Sequence, residues 1–537
     1  MRYAALGLAA LLAAAPAAAR TPPVRLVLML AVDQLRPDRL DPALPGGLGR
    51  LAREGRVFSD AALAHGMTET CPGHATMLTG RHPAAAGIPA NEFFDPESGA
   101  ELYCVEDPDP GSKEIGGAGG LSPTNLRVTA LGDWLKAASP ASRVYAVSGK
   151  DRGAIMLGGK RPDGVYWYHP GAPPRFTTSR YYSEALPPWV EVWNGASPPE
   201  DGFLAALPAT WEHGAPAHAA VPDDFPGEAT LYSRTSPHPL RDPDLARFGE
   251  QLFLTPFLDA VTLDFARQLV LAEELGRGPA PDLLAVSLSA TDSVGHLYGP
   301  ASHEAADALA RLDAGLASFL ALLEERTGGA LVVALTADHG VLPLPEWLMS
   351  TGGATCPDPA LRVGITGLGF WLLARMWWEL GPWLAWPRAW VHFEGSQGRI
   401  DRALAEAQGV PVERAVALAK QQLEGSPAID HVWTEAEIAS GEGELAELYR
   451  HSFVPGRSGD FVVQPAEGCL LSAYDSGTSH GSPWPYDRRV PIVLRGPGIA
   501  PGAVPGPAAT VDIAPTLAAL LGVPAPADLD GTPLRLR

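Results

Sequence analysis

The sequence predicts an α/β fold: a mostly parallel sheet flanked by helices on both faces, with inserted cap segments. Three observations predict it. Apolar runs over residues 24–31, 282–289 and 330–336 are each followed by a carboxylate, Asp33, Asp292 and Asp338 respectively. Continuous apolar strands suit a parallel sheet covered on both sides. Residues 302–326 lie between the last two runs and space Leu309, Leu312, Leu316, Phe319 and Leu322 as a helix does. Residues 94–215 and 343–469 are rich in Pro, Gly and aromatics and have broken periodicity, so they read as insertions over the sheet.

Taken in order, residues 1–19 read as a signal peptide. Arg2 supplies the positive start, residues 3–15 are apolar, and Ala17-Ala18-Ala19 gives a small-residue cleavage pattern before Arg20. The run is short for a membrane anchor, and Pro16 follows it. The mature chain, 20–537, is then one exported domain, periplasmic or secreted. After the first strand, the stretch from Thr68 to Thr76 reads as a loop feeding a helix that continues through Leu78. Residues 124–138 read as a helix with Thr124 as its N-cap, just after Pro123. Residues 367–390 are rich in Leu and Trp, but Arg375, Glu379, Pro382, Pro387 and Arg388 interrupt them. Those breaks argue against a membrane span and for a buried helix pair in an insertion, a surface patch being the alternative. Residues 490–494 read as a strand and 511–521 as a closing helix.

Composition narrows the partners. Among 537 residues, 46% are hydrophobic and 19% charged, as in a packed globular chain, and the formal net charge is -21. So acidic a surface repels nucleic acid and anionic lipid. It leaves open a small phosphorylated substrate held by local cations. The four cysteines, Cys71, Cys104, Cys356 and Cys469, allow one or two disulfides in an oxidising compartment, with the pairing open. Oligomeric state is not legible.

The chemistry concentrates where strands end. In open α/β sheets, ligands bind outside the carboxyl ends of the strands, so Asp33, Asp292 and Asp338 are placed to converge. His296 follows Asp292 by four residues, His339 follows Asp338 directly, and His480 lies in a Gly-flanked loop. Three carboxylates and three imidazoles form a mixed N/O set that suits zinc better than magnesium or calcium, and six ligands suffice for two metals. Thr70, at a helix start, sits where backbone N–H groups and the helix dipole favour an anion.

The stretch Thr70-Cys71-Pro72-Gly73-His74, followed by Thr79-Gly80, Pro83, Gly87-Ile88 and Asn91, resembles the nucleophile region of the alkaline phosphatase superfamily. It is closest to the PafA-type phosphate-irrepressible alkaline phosphatases and is similar to the nucleotide pyrophosphatase/phosphodiesterases. Asp33, Asp292 with His296, Asp338-His339 and His480 fall in the family's order, as does the closing segment from Val511 to Leu517. The resemblance implies an alkaline-phosphatase-like fold and two Zn2+ per chain. One zinc would be held by Asp33, Asp338, His339 and the Thr70 oxygen, the other by Asp292, His296 and His480. It also implies a phosphothreonine intermediate on Thr70, with Asn91 donating to a phosphate oxygen. Lys150-Asp151-Arg152 and the stretch Phe176 to Tyr182 mark the PafA type further. Two added cations favour the dianion of a phosphate monoester over a diester; a phosphodiesterase or nucleotide pyrophosphatase is the alternative. Cys71 does not stand in the Cys-x-Pro-x-Arg frame of the sulfatases, since Pro72 follows it at once.

Overall fold

The computed structural model describes residues 24–214, 221–229, 233–358, 361–381 and 389–537. The signal-peptide reading therefore lies outside the described residues. Nine strands form the main sheet: β1 Leu26–Val32, β2 Arg56–Ala62, β3 Val144–Ser148, β4 Gly164–His169, β5 Arg175–Thr177, β6 Asp282–Leu288, β7 Leu331–Thr336, β8 Ile492–Arg495 and β9 Gly502–Ala509. Their spatial order is β9-β2-β8-β7-β1-β6-β3-β4-β5. β1 pairs in parallel with both β6 and β7, Ala31 lying opposite Ser287 on one side and Thr336 on the other. Only β8 and β5 run opposite to the other seven strands, so β8 is antiparallel to both β7 and β2, and β5 to β4.

Every residue of β1, β6 and β7 is buried, which is why these strands read as unbroken apolar runs. Alternate residues serve opposite faces. Leu26, Leu28, Leu30 and Val32 join a core completed by Leu316 and Phe319 of the long helix His303–Thr327. Val27, Met29 and Ala31 join a second core with Ala75, Met77 and Leu78 of the helix Thr70–Thr79 and with Ile513 and Leu517 near the C-terminus. The predicted mostly parallel sheet, covered by helices on both faces, is thus observed.

The segment 94–215 departs from expectation. It is not simply a cover: it supplies β3, β4 and β5 to the main sheet. β3 is only five residues long and its sequence surroundings are irregular, so its strand character is masked until it pairs with β6. The helix expected at 124–138 begins at Leu131, where Asp133 accepts the Ala130 N–H at 2.8 Å, so Thr124 is not its cap.

Residues 343–469 carry a second sheet. Strands Val391–Glu394, Gln397–Ile400, Phe461–Pro465 and Ile429–Thr434 form an antiparallel sheet around its own core, with Met376, Trp390 and Phe461. The Trp-rich segment contains one described helix, Ile365–Leu380; residues 382–388, where the second helix of the expected pair would fall, lie outside the described set. Phe370, Trp371 and Trp378 on it are exposed, because the small cap core accepts only one face. Among the described residues, no helix is long and apolar enough to cross a membrane. The four cysteines form two disulfides, Cys71–Cys104 and Cys356–Cys469.

Candidate active site

The carboxyl ends of β1, β6 and β7 bring Asp33, Asp292 and Asp338 together as predicted. Asp33 and Asp338 follow their strands within two residues. Asp292 lies in the first turn of α1 Ala290–Tyr298, which places His296 one turn on, with its Nε2 3.2 Å from Asp292 Oδ1. His480 arrives on the loop beyond the cap, its Nε2 3.7 Å from the same oxygen. The loop approaches closely only because Gly477 has φ +74° and a Cβ there would meet the His296 carbonyl oxygen. Asp292, His296 and His480 make one potential ligand group.

The second group differs from expectation. Asp33 and Asp338 flank His74, whose Nε2 is 3.4 Å from Asp33 and whose Nδ1 is 3.3 Å from Asp338. His339 joins from the side, with Nε2 3.3 Å from Asp338 Oδ2, and its ring stacks on His480 at 3.4 Å. Asp33 Oδ2, Asp338 Oδ2 and His339 Nε2 are buried and, apart from the charged contacts with one another, His74 and Lys150, have no hydrogen-bond partner. Orphaned buried donors and acceptors of mixed N/O type are what a pair of divalent transition metals would satisfy, so the residues fit the expected group. Burial, helped for His480 by its imidazole neighbours, holds His339 down to about 4 and His480 well below the usual histidine range. Both rings are therefore neutral, as ligands must be. Burial alone would raise Asp33 and Asp292. Lys150, with His74 beside Asp33 and His296 beside Asp292, outweighs it and keeps both ionised. Burial also lowers His74, but Asp33 and Asp338 push it up to about 10.

Thr70 is the first residue of the helix Thr70–Thr79, as expected, and lines a cleft of about 1130 Å3 with Asn91, Arg152, Asp292, His296 and His480. Gly73 allows the helix to approach β7: a Cβ there would lie 2.3 Å from the Asp338 carbonyl oxygen. Asn91 is locked in place, its Oδ1 accepting the Cys71 N–H at 2.8 Å and its own N–H donating to Glu69 at 2.8 Å. That leaves its Nδ2 amide for another acceptor. The Cys71–Cys104 bridge fastens both ends of this arrangement, since the Cys104 N–H also donates to the Asn91 carbonyl.

Lys150 and Arg152 flank the start of α2 Asp151–Gly158. Lys150 is almost fully buried, and its Nζ lies 3.1 Å from Asp33 and 2.6 Å from Asp292, joining the two ligand groups. Arg152 contacts the Tyr103 hydroxyl at 3.4 Å, and its Nε has no partner.

Sequence reasoning missed Gln34. Its φ is +65°, uncommon for a non-glycine residue, and strain of this kind costs on the order of 1 kcal/mol. The turn lets its N–H donate to Asp338 at 3.1 Å and its side-chain amide to Asp292 at 2.7 Å, tying the three strand ends together. A polar residue directly after a strand-end carboxylate is the one signal in the sequence.

A fold of this kind, with carboxylates and imidazoles at the strand ends and a threonine at a helix start, defines a class. The family model described as Type I phosphodiesterase / nucleotide pyrophosphatase matches residues 27–486, and the chain belongs to that family. Within it, the chain is similar to the alkaline phosphatase PhoK of Sphingomonas sp, at 36% identity over 96% of this chain and 92% of that protein. It is also similar to the alkaline phosphatase PhoD of Zymomonas mobilis, at 34% identity over 93% and 86%. Among solved structures, wild-type alkaline phosphatase PafA superimposes with a TM-score of 0.86 at 28% identity, covering 96% of this chain and 98% of that one.

Proposed function

We propose that the protein is a zinc-dependent alkaline phosphatase, a phosphate monoester hydrolase acting through a phosphothreonine on Thr70. The observation that carries this reading is the meeting of two candidate ligand groups beside a threonine at a helix N-terminus, in a chain similar over most of its length to proteins named alkaline phosphatases. Asp33, Asp338 and His339 would hold one of two zinc ions, with Thr70, and Asp292, His296 and His480 the other. When bound, the metals supply a lowered pKa for the attacking oxygen and charge compensation for the leaving one.

The chain's own residues do the rest. Thr70 Oγ1 attacks phosphorus, the P–O bond to the alcohol breaks, and phosphate is left esterified to Thr70. Water then cleaves that ester. The helix N-terminus favours the negative charge that the phosphoryl group brings. Asn91, held by Cys71 and Glu69, is positioned to donate to a non-bridging oxygen. Lys150 and Arg152 offset the second charge that distinguishes a monoester from a diester. Small phosphorylated molecules are the substrates. The family's description favours a phosphodiesterase as the rival reading, and the ratio of monoester to diester turnover decides between them. Export fits the two disulfides and the N-terminal leader-like run.

The test is a trapping experiment. Acid quenching during steady-state turnover should recover phosphate covalently bound to Thr70, while Thr70→Ala should lose most activity and Thr70→Ser keep part of it. Near-parent monoester hydrolysis by Thr70→Ala would replace the covalent route with direct attack by water.

A further inference from the structure

A second cluster of ligand-type side chains stands apart from the strand-end site. It is built on the first turn of the helix His303–Thr327 and on the short ribbon formed by Thr210–Trp211 and His238–Pro239. Glu304 is fully buried. Its Oε1 is 3.3 Å from His213 Nε2 and 3.1 Å from His238 Nε2, and its Oε2 has no hydrogen-bond partner. Among the described residues, no Lys or Arg is paired with it. Asp223 Oδ1 lies 3.2 Å from His213 Nε2, and Glu228 is buried nearby.

The hydrogen bonds on the far sides of the two imidazoles decide what faces Glu304. His213 Nδ1 is 3.2 Å from the Gly214 carbonyl oxygen, which can only accept, so the proton is on Nδ1. His238 Nδ1 is 3.3 Å from the Tyr298 hydroxyl, which itself donates to the Ser233 carbonyl at 3.0 Å, so here too Nδ1 donates. In the neutral rings both Nε2 atoms then present lone pairs to a carboxylate oxygen scarcely more than 3 Å away. Lone pair against lone pair in a buried site is repulsive unless a proton on Nε2 or a metal cation lies between them, and a single metal cation relieves both contacts at once. Imidazoles oriented through their other nitrogen are the usual arrangement of metal-binding histidines. Tetrahedral zinc with bonds of about 2.0–2.2 Å spaces its ligand atoms about 3.3–3.6 Å apart, close to the observed separations.

We propose that His213, His238 and Glu304 bind a further zinc ion, separate from the phosphoester site, with Asp223 or water in the fourth position. The metal fastens the segment around the ribbon to the start of the long helix. That segment also supports the catalytic loop, since the Gly477 N–H donates to Gly227 and the Ala229 N–H to Leu297.

Two measurements test this on the full chain. Metal analysis of zinc-replete protein should find one equivalent less zinc in His238→Ala and in Glu304→Gln than in the parent, with a lower Tm. Zinc content equal to the parent in both variants overturns the site. Should the variants not fold, parent crystals decide. An anomalous difference peak at the zinc edge beside Glu304 and the two Nε2 atoms supports the proposal. Peaks confined to the strand-end carboxylates overturn it.

Discussion

The ammonium of Lys150 touches Asp33 and Asp292, carboxylates that belong to different ligand groups. In the proposed reading it acts on the candidate metal ligands as well as offering charge to substrate, whereas Arg152 lines the cleft wall. Replacing both with Ala should cut monoester hydrolysis by at least about a hundredfold, since each charge-assisted contact is worth roughly 1.5–3 kcal/mol. Diester hydrolysis should fall far less, and equal losses on both esters would mark the pair as structural. At this scale the meeting of Thr70 and the six candidate ligands was legible because each sits at a chain feature visible in sequence: a strand end, a helix start, a Gly-flanked loop. The contacts of His74 and Gln34 were not. His74 stood in the quoted motif, but its position between Asp33 and Asp338 depends on how a helix seats against two strand ends.

Helix α1 owes its start to a neighbour. Asp259, on the helix Phe257–Ala272, accepts the Ala290 N–H at 2.9 Å and is itself fully enclosed. Burial, only partly offset by that bond, raises its carboxyl to about 7. The unfolded chain ionises it near 4. Between about pH 4 and 7 the unfolded state thus sheds a proton that the folded state keeps, so this group's contribution to stability falls as pH rises, and its penalty is full above about 7. Asp259→Asn retains an acceptor for Ala290 and removes the titration. Its stability relative to the parent, measured by thermal melting, should be unchanged near pH 4 and gain roughly 2–4 kcal/mol above pH 7. A pH-independent difference would rule this out. Elements such as β1, β6 and β7 were readable because burial on both faces leaves an unbroken apolar run. β3 was not, being a five-residue strand whose identity comes from pairing with β6.

For the molecule as a whole, the two ligand groups link the sheet to the loop beyond the cap, so metal removal should loosen both. Dialysis against a strong chelator should abolish activity and lower Tm, and zinc should restore both. Full activity in metal-free protein would exclude the two-zinc reading. Lost periodicity marks 343–469, where a second sheet lies, but the same signal over 94–215 hid three strands of the main sheet among irregular connections. Cys356 and Cys469 are 113 residues apart in the chain, yet their Cα atoms lie 4.7 Å apart. The cap thus leaves the body and returns at nearly one point, closed there by a covalent neck. Such an excursion is a closed loop of chain whose two ends are held together. A protease that cuts once inside it yields two fragments that travel as a single molecule until a reductant opens the neck.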